Sequence, residues 1–333
     1  MVKREFIQKH EPFDFQFFQN ENDFIVEENP IKFSNRGNFI IAKIKKKNLG
    51  TWDLIEKLSK QLRIYENELG YAGLKDKNAT TTQYISIPKK YSKELKNFRS
   101  KNIEILDTTL HTNKLNIGDL VSNSFKINLF KIKISDLGKI EKLVRKIEKI
   151  GMPNYFGFQR FGKDGDLNIQ KAKEYVYGDL SIKDKKIAKM LISQYQSDFF
   201  NGWLANRIDQ SSDGFKLLQG DVFKEYSSGK LFTPKQLSNQ IINDFNSRKI
   251  VPTGLLPGRK VFRSIGKSRQ IEERFDDLYI QEKGYRRDAI VFPKDIKLKY
   301  NKEKNCVSLS FTLPKGSYAT VFIENIANKN NLF

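Results

Sequence analysis

Gly70-Tyr71-Ala72-Gly73-Leu74-Lys75-Asp76-Lys77-Asn78-Ala79-Thr80-Thr81-Thr82-Gln83 is the stretch from which the rest of the chain can be read. It sets one carboxylate, Asp76, between two lysines in a run of small and polar residues. An alternating apolar run, Tyr84, Ile85 and Ile87, follows directly. Small residues let backbone approach a ligand closely. Three threonines and a glutamine add neutral donors and acceptors. Taken alone, the segment suits a solvated turn in a basic protein better than a site, so its flanks have to decide.

Upstream, Leu54, Ile55, Leu58, Leu62 and Tyr65 follow helical spacing. The pattern predicts a helix with Thr51 as N-cap and Asp53 in its first turn, running to about 67. It delivers the chain into the Asp76 stretch, which leads into a strand at 83–87. Residues 37–47 read as another strand with a basic exit, and Phe13, Phe15 and Phe17 alternate as in an extended segment. Residues 119–134 read as a long strand or two joined ones, with a phase shift that predicts a bulge near Phe130. A helix striped with Leu137, Ile140, Leu143, Val144, Ile147 and Ile150 comes next.

Then comes Gly151-Met152-Pro153-Asn154-Tyr155-Phe156-Gly157-Phe158-Gln159-Arg160-Phe161-Gly162. Four rings, an amide and an arginine among glycines can stack a base and read its edge. They suit a core-packed loop about equally well. Beyond 180 the character turns helical. Ser181 to Asp184 resembles a capping box before a helix reaching about 208, and Thr233-Pro234 resembles a second helix start. Residues 252–260 read as a loop. From 289 to 313 strands return, followed by a loop and a short apolar helix around Phe322, Ile323 and Ile326. One α+β domain interrupted by a helical insertion explains this order.

The formal net charge is +21, from 60 Lys+Arg against 39 Asp+Glu. Such an excess favours a polyanionic partner, nucleic acid first. An AT-rich genome would explain part of the lysine count, but less of the imbalance over acids. A single cysteine, Cys306, excludes an internal disulfide and a cysteine-based zinc site, and it fits a reduced, cytoplasmic setting. The two histidines, His10 and His111, are too far apart in sequence for a histidine-rich metal site. No apolar run predicts a membrane span, and no signal peptide is expected. Ile265-Gly266-Lys267-Ser268 ends like a phosphate-binding loop, but the required first glycine is Val261. No cofactor is expected, and carboxylates, lysines and aromatics are left to carry the chemistry.

Two motifs, Ala72-Gly73-Leu74-Lys75-Asp76-Lys77 with Thr81 and Gln83, and Pro153 to Gly157 with Gln159-Arg160-Phe161-Gly162, together resemble the tRNA pseudouridine synthase D family. Smaller matches follow in order: Asp23 to Glu28; His111, Lys114, Leu115 and Gly118; Asn123 with Phe125; Leu256-Pro257-Gly258; Arg286-Arg287; and Gly316 to Thr320. The resemblance spans almost the whole chain. It departs at Tyr318, where the family often has Phe, and at Ile323 before Glu324, where it often has Arg. The second departure leaves Glu324 without its expected charge partner.

The resemblance implies a pseudouridine synthase catalytic domain on a mainly antiparallel sheet with flanking helices. That domain would span 1–179 and 291–333, interrupted by a helix-rich TRUD domain at 180–290. It implies isomerisation of uridine to pseudouridine in tRNA, at uridine 13 in bacterial members. Asp76 is then the expected nucleophile. Lys75, Lys77 or Arg160 would keep it ionised. Phe156 and Tyr318 would stack on the flipped base. Asn154 would bind the uracil edge or hold Asp76, and Glu27 or Glu28 would orient a lysine. A monomer acting on tRNA without metal is expected. The rival readings are a non-catalytic basic RNA-binding protein and a metal-dependent nuclease.

Overall fold

Nearly every residue of Thr80–Pro88 is buried, including its threonines and Gln83. In the computed structural model, which describes residues 2–211, 214–330 and 332, this segment is an inner strand of the main sheet. The strands are, in chain order, β1 (Gln16–Phe17), β2 (Phe24–Pro30), β3 (Phe39–Lys47), β4 (Gly70–Tyr71), β5 (Thr80–Pro88), β6 (Ile103–His111), β7 (Leu120–Phe130), β8 (Met152–Pro153), β9 (Val222–Glu225), β10 (Leu231–Phe232), β11 (Ile250–Leu256), β12 (Tyr285–Asp288), β13 (Ile290–Val291), β14 (Lys294–Asn301) and β15 (Cys306–Pro314). The helices are α1 (Thr51–Leu62), α2 (Ser92–Lys96), α3 (Leu137–Ile150), α4 (Gly165–Tyr177), α5 (Lys185–Asp209), α6 (Asn239–Asn246), α7 (Gly266–Glu272) and α8 (Ala319–Ala327).

Two compact units result. The sheet unit comprises Asp14–Glu141 and Pro293–Gly316. The helical unit comprises Met1–Phe13, Lys142–Phe292 and Ser317–Phe333.

In the sheet unit the strand order is β14-β15-β7-β2-β5-β3-β6, with β1 added on β7 and β4 on β5. Every pairing is antiparallel except β2 with β5. The mixed α+β class with a mainly antiparallel sheet is as expected. Alternation puts Ile40, Ala42 and Ile44 of β3 beside Ile85 and Ile87 of β5 on one face. Leu54, Ile55, Leu58 and Leu62 of α1 cover that face and complete one core.

In the helical unit β10-β9-β11-β12 form a four-stranded sheet, and β8 pairs with β13. Phe200, Trp203, Leu204 and Ile208 of α5 pack there with Tyr155, Phe156, Leu256 and Ile290. Arg207 and Asp221, both buried, form a two-pronged ion pair of 2.7 and 3.0 Å.

Several local expectations change. Gly50, not Thr51, occupies the N-cap of α1, and Asp53 accepts its N–H at 3.0 Å. The helix stops at Leu62, where Arg63 takes a left-handed conformation with φ 56°, short of the expected 67. β7 has no bulge near Phe130. It ends there, and the phase shift comes from Lys131, which has φ 59°. Asp184, not Ser181, caps α5 by accepting from the N–H groups of Lys186 and Ile187. The helix expected at Thr233 starts at Asn239, capped by Ser238. The expected loop at 252–260 is mostly strand β11, buried throughout. The compact helical unit also takes in residues well outside 180–290, so compactness does not follow those boundaries. We propose that 180–290 is an insertion into a catalytic domain of residues 1–179 and 291–333.

Candidate active site

Asp76 sits, half-buried, in the loop between β4 and β5. Its loop is anchored on both sides. Gly70 allows the chain to enter, since a Cβ there would come within 2.4 Å of the Leu115 carbonyl. The Lys75 N–H donates to Thr51 Oγ1 at 2.9 Å, and that hydroxyl donates to Gln83 Oε1 at 3.1 Å. Thr51 thus ties the first residue of α1 to the Asp76 loop and to β5.

Lys75 is itself buried. Its ammonium pairs with Glu28 Oε2 at 2.7 Å and donates to Asn123 Oδ1 at 2.8 Å. Glu28 and Asn123 face each other across β2 and β7, so one strand pair holds both partners. Burial pushes the Glu28 carboxyl above its ordinary value, against the pull of Lys75. Glu27 points to the other face and pairs with Lys43 at 2.7 Å. Of the two glutamates, Glu28 is the one that pairs with Lys75.

Burial also pushes the Asp76 carboxyl up. Its own backbone N–H, Lys46, Lys75 and Gln19 pull it back down. Gln19 Nε2 lies 3.5 Å from Asp76 Oδ1. Lys77, by contrast, is exposed and only reaches Asp53, at 4.0 Å.

Lys46 was not anticipated. It is 1% exposed and donates to the Leu49 carbonyl. Burial pushes its ammonium down to about 8, with Asp76 as the main charge opposing that shift. The signal lay in phase. Lys46 continues the inward series Ile40, Ala42 and Ile44, whereas Lys45 and Lys47 alternate with it. Reading 37–47 as a strand with a basic exit merged one inward lysine with two outward ones. Asn123 and Gln19 were also missed as site residues. Their contacts join segments that no short motif spans.

The other expected residues lie in the helical unit. Asn154 is buried with both ends of its amide engaged. Nδ2 donates to the Asp288 carbonyl at 3.0 Å, and Oδ1 accepts from Arg287 at 2.9 Å. The Phe156 ring is buried, with the Arg287 guanidinium 3.9 Å from its centroid and the Arg160 guanidinium at 5.5 Å. Arg160 donates to Ser197 Oγ at 3.1 Å and to the Ser193 carbonyl at 3.2 Å, both on α5. Burial lowers Arg287 to about 10, so it stays protonated at neutral pH. Tyr318 is half-buried, 6.2 Å from Phe156 centroid to centroid. Gly157 permits this approach, because a Cβ there would fall 2.8 Å from the Tyr318 ring. Glu324 does have a charge partner. It is Arg4, 320 residues away, which stands in for the missing neighbouring arginine.

Among the described residues, no helix is long and apolar enough to cross a membrane, and no group of three or more His, Cys, Asp or Glu could hold a metal ion.

One half-buried carboxylate beside two lysines, on a mainly antiparallel sheet in a basic chain, is a site suited to nucleophilic work on nucleic acid. Comparison with known proteins narrows the class. The family model for tRNA pseudouridine synthase D (TruD) matches residues 3–169 and 168–326. A tRNA pseudouridine synthase D of Nitratiruptor is 41% identical over 98% of this chain and 99% of its own length. That of Helicobacter pylori is 35% identical over 96% and 94%. A Methanosarcina mazei crystal structure of the same family name superposes with a TM-score of 0.75 at 21% identity, covering 98% of this chain and 96% of that one, which supports the fold. The protein is thus a pseudouridine synthase, an isomerase by reaction type. Within that class, the chain belongs to the tRNA pseudouridine synthase D family.

Proposed function

We propose that this protein converts uridine to pseudouridine in tRNA, at uridine 13, with Asp76 as the nucleophile. The observation that carries the reading is the setting of Asp76: a half-buried carboxylate, hydrogen-bonded by Gln19, with Lys46 and Lys75 as its neighbouring cations. Burial favours the neutral acid and the two cations favour the carboxylate, so the site holds a nucleophile whose ionisation depends on its lysines.

The reaction breaks the bond between uracil N1 and the ribose C1′ and makes one between C5 and C1′. N1 ends with a proton and C5 gives one up, so atoms and electrons balance without a redox partner. The Asp76 carboxylate attacks at C1′ or at C6 of the ring, and the covalent intermediate is released when the turned base rebonds. Gln19 and Lys46 orient and charge the carboxylate. Glu28 and Asn123 hold Lys75 in place. Tyr318, the more exposed of the two expected rings, stacks on the flipped base. Phe156, covered by Arg287, packs edge-on against Tyr318, and Asn154 positions Arg287. The exposed Lys77 contacts a phosphate of the tRNA, and the protein acts as a monomer.

Pseudouridine-selective labelling with reverse transcription on a tRNA transcript tests the reading. Wild-type protein should mark uridine 13 without added metal. Asp76→Asn should lower the rate to below about one ten-thousandth while tRNA affinity stays within about threefold. Normal product from Asp76→Asn would overturn the mechanism. Chelator-sensitive strand cleavage in place of pseudouridine would favour a nuclease.

A further inference from the structure

A cavity of about 870 Å³ lies in the sheet unit, along the β6 edge of the main sheet. β6 pairs with β3 on one side and is terminal in the strand order. α2 and the turn that follows it flank the cavity. Its floor is apolar: Leu95, Phe98 and Ile103 are each about nineteen-twentieths buried in the core beneath α1.

Its rim is cationic. Lys45, Lys47, Lys89, Lys96, Arg99 and Lys101 line it, with Glu104 as the one carboxylate in the lining. Glu104 is already paired, to Lys45 at 3.6 Å. The whole chain carries 60 basic against 39 acidic residues, so a general lysine excess predicts fewer than two cations per carboxylate. The observed six to one is a local concentration. Arg99 is fixed in place by donating to the carbonyls of Lys96 and Phe98 at 2.9 and 2.7 Å. Serine, threonine and asparagine side chains lie between the cations and supply neutral donors. With a rise of about 3.4 Å per residue, β6 runs roughly 27 Å, long enough for several successive phosphates of one strand.

We propose that this groove binds the sugar–phosphate backbone of the substrate tRNA, at nucleotides other than the one isomerised. The inference rests on tRNA being the substrate. A polyanion fits the rim's charge, a backbone fits the edge's length, and the neutral donors fit ribose and phosphate oxygens. The groove reads no base, so it adds affinity and register rather than sequence choice. Lys47 closes it at the end of β3 that also carries Lys46, so the groove starts one residue from the Asp76 site.

The test is equilibrium binding of fluorescent tRNA transcript across a salt series, with pseudouridine formation read separately. The variant Lys89→Gln/Lys96→Gln/Lys101→Gln removes three exposed charges. A matched control, Lys171→Gln/Lys185→Gln/Lys189→Gln, removes three exposed charges from α4 and α5. The groove variant should bind tRNA at least about tenfold more weakly, with a salt slope reduced by about 2. Its KM should rise while kcat holds, and the control should move less than about threefold. Equal loss in both variants would show only the general field and overturn the proposal, as would unchanged binding in the groove variant. Because binding is measured apart from product, a wild type that binds tRNA but forms no pseudouridine would count against the enzymatic reading alone.

Discussion

Lys46 and Asp76 are coupled charges, and each sets what the other does as pH changes. As the proposed nucleophile Asp76 has to be ionised, and its carboxyl is held above the ordinary value, so the rate should climb with pH through that raised value. Lys46 loses its proton near 8, after which the charge that favours the carboxylate is gone. A bell-shaped profile with its alkaline limb near pH 8 is expected. Lys46→Arg should push that limb upward, and Lys46→Met should shift the acid limb toward higher pH. A profile in Lys46→Met identical to wild type would remove Lys46 from the mechanism. The effect on stability has a different sign from the effect on rate. Between about 8 and 10.5 the unfolded chain binds the lysine proton and the folded one does not, so this group makes stability rise with pH there; below 8 its cost is constant. Asp76 runs the other way: just above its ordinary 3.8 the folded state binds the extra proton, so ionising it costs stability as pH rises. Asp76→Asn should therefore melt about 1–3 °C above wild type at neutral pH, by calorimetry.

At the scale of elements, α1 and β5 were legible because each has one clear period. Ile85 and Ile87 alternate, while Leu54, Ile55, Leu58 and Leu62 recur at helical spacing, and these residues meet in one core. Leu58 of α1 is fully buried, and Leu58→Ala should cost about 2–5 kcal/mol, read from urea unfolding. Boundaries were less legible, because caps depend on backbone geometry. Thr51 has the composition of a cap, yet its hydroxyl serves the Asp76 loop. Thr51→Val keeps the shape and removes that link. It should lower kcat more than about tenfold with a smaller change in Tm; equal losses in both would mean that Thr51 is only structural. Pro252 and Gly254 made 252–260 look like a loop, but residues 252–256 belong to strand β11, with both residues buried. Gly254 lies so close to Trp203 that a Cβ would fall 2.3 Å from the indole, so packing, not a turn, demands the glycine.

At the scale of the whole molecule, Arg4 and Glu324 join the two ends of the helical unit. Both are buried, so Arg4→Met breaks a buried ion pair to Glu324 and should cost about 3–5 kcal/mol, measured by chemical denaturation. The sequence by itself determined the class of fold, the basic character that suits RNA, and Asp76 as the candidate nucleophile. Those properties are carried by short-range period, by summed charge and by contiguous motifs, all of which survive in one dimension. Tertiary structure alone decided which cation faces Asp76, that Asn123 and Glu28 share Lys75, and that Arg4 answers Glu324. Each of these joins residues far apart in the chain. The energy of a buried charge depends on which groups folding brings within a few ångströms of it, and sequence order does not encode that distance.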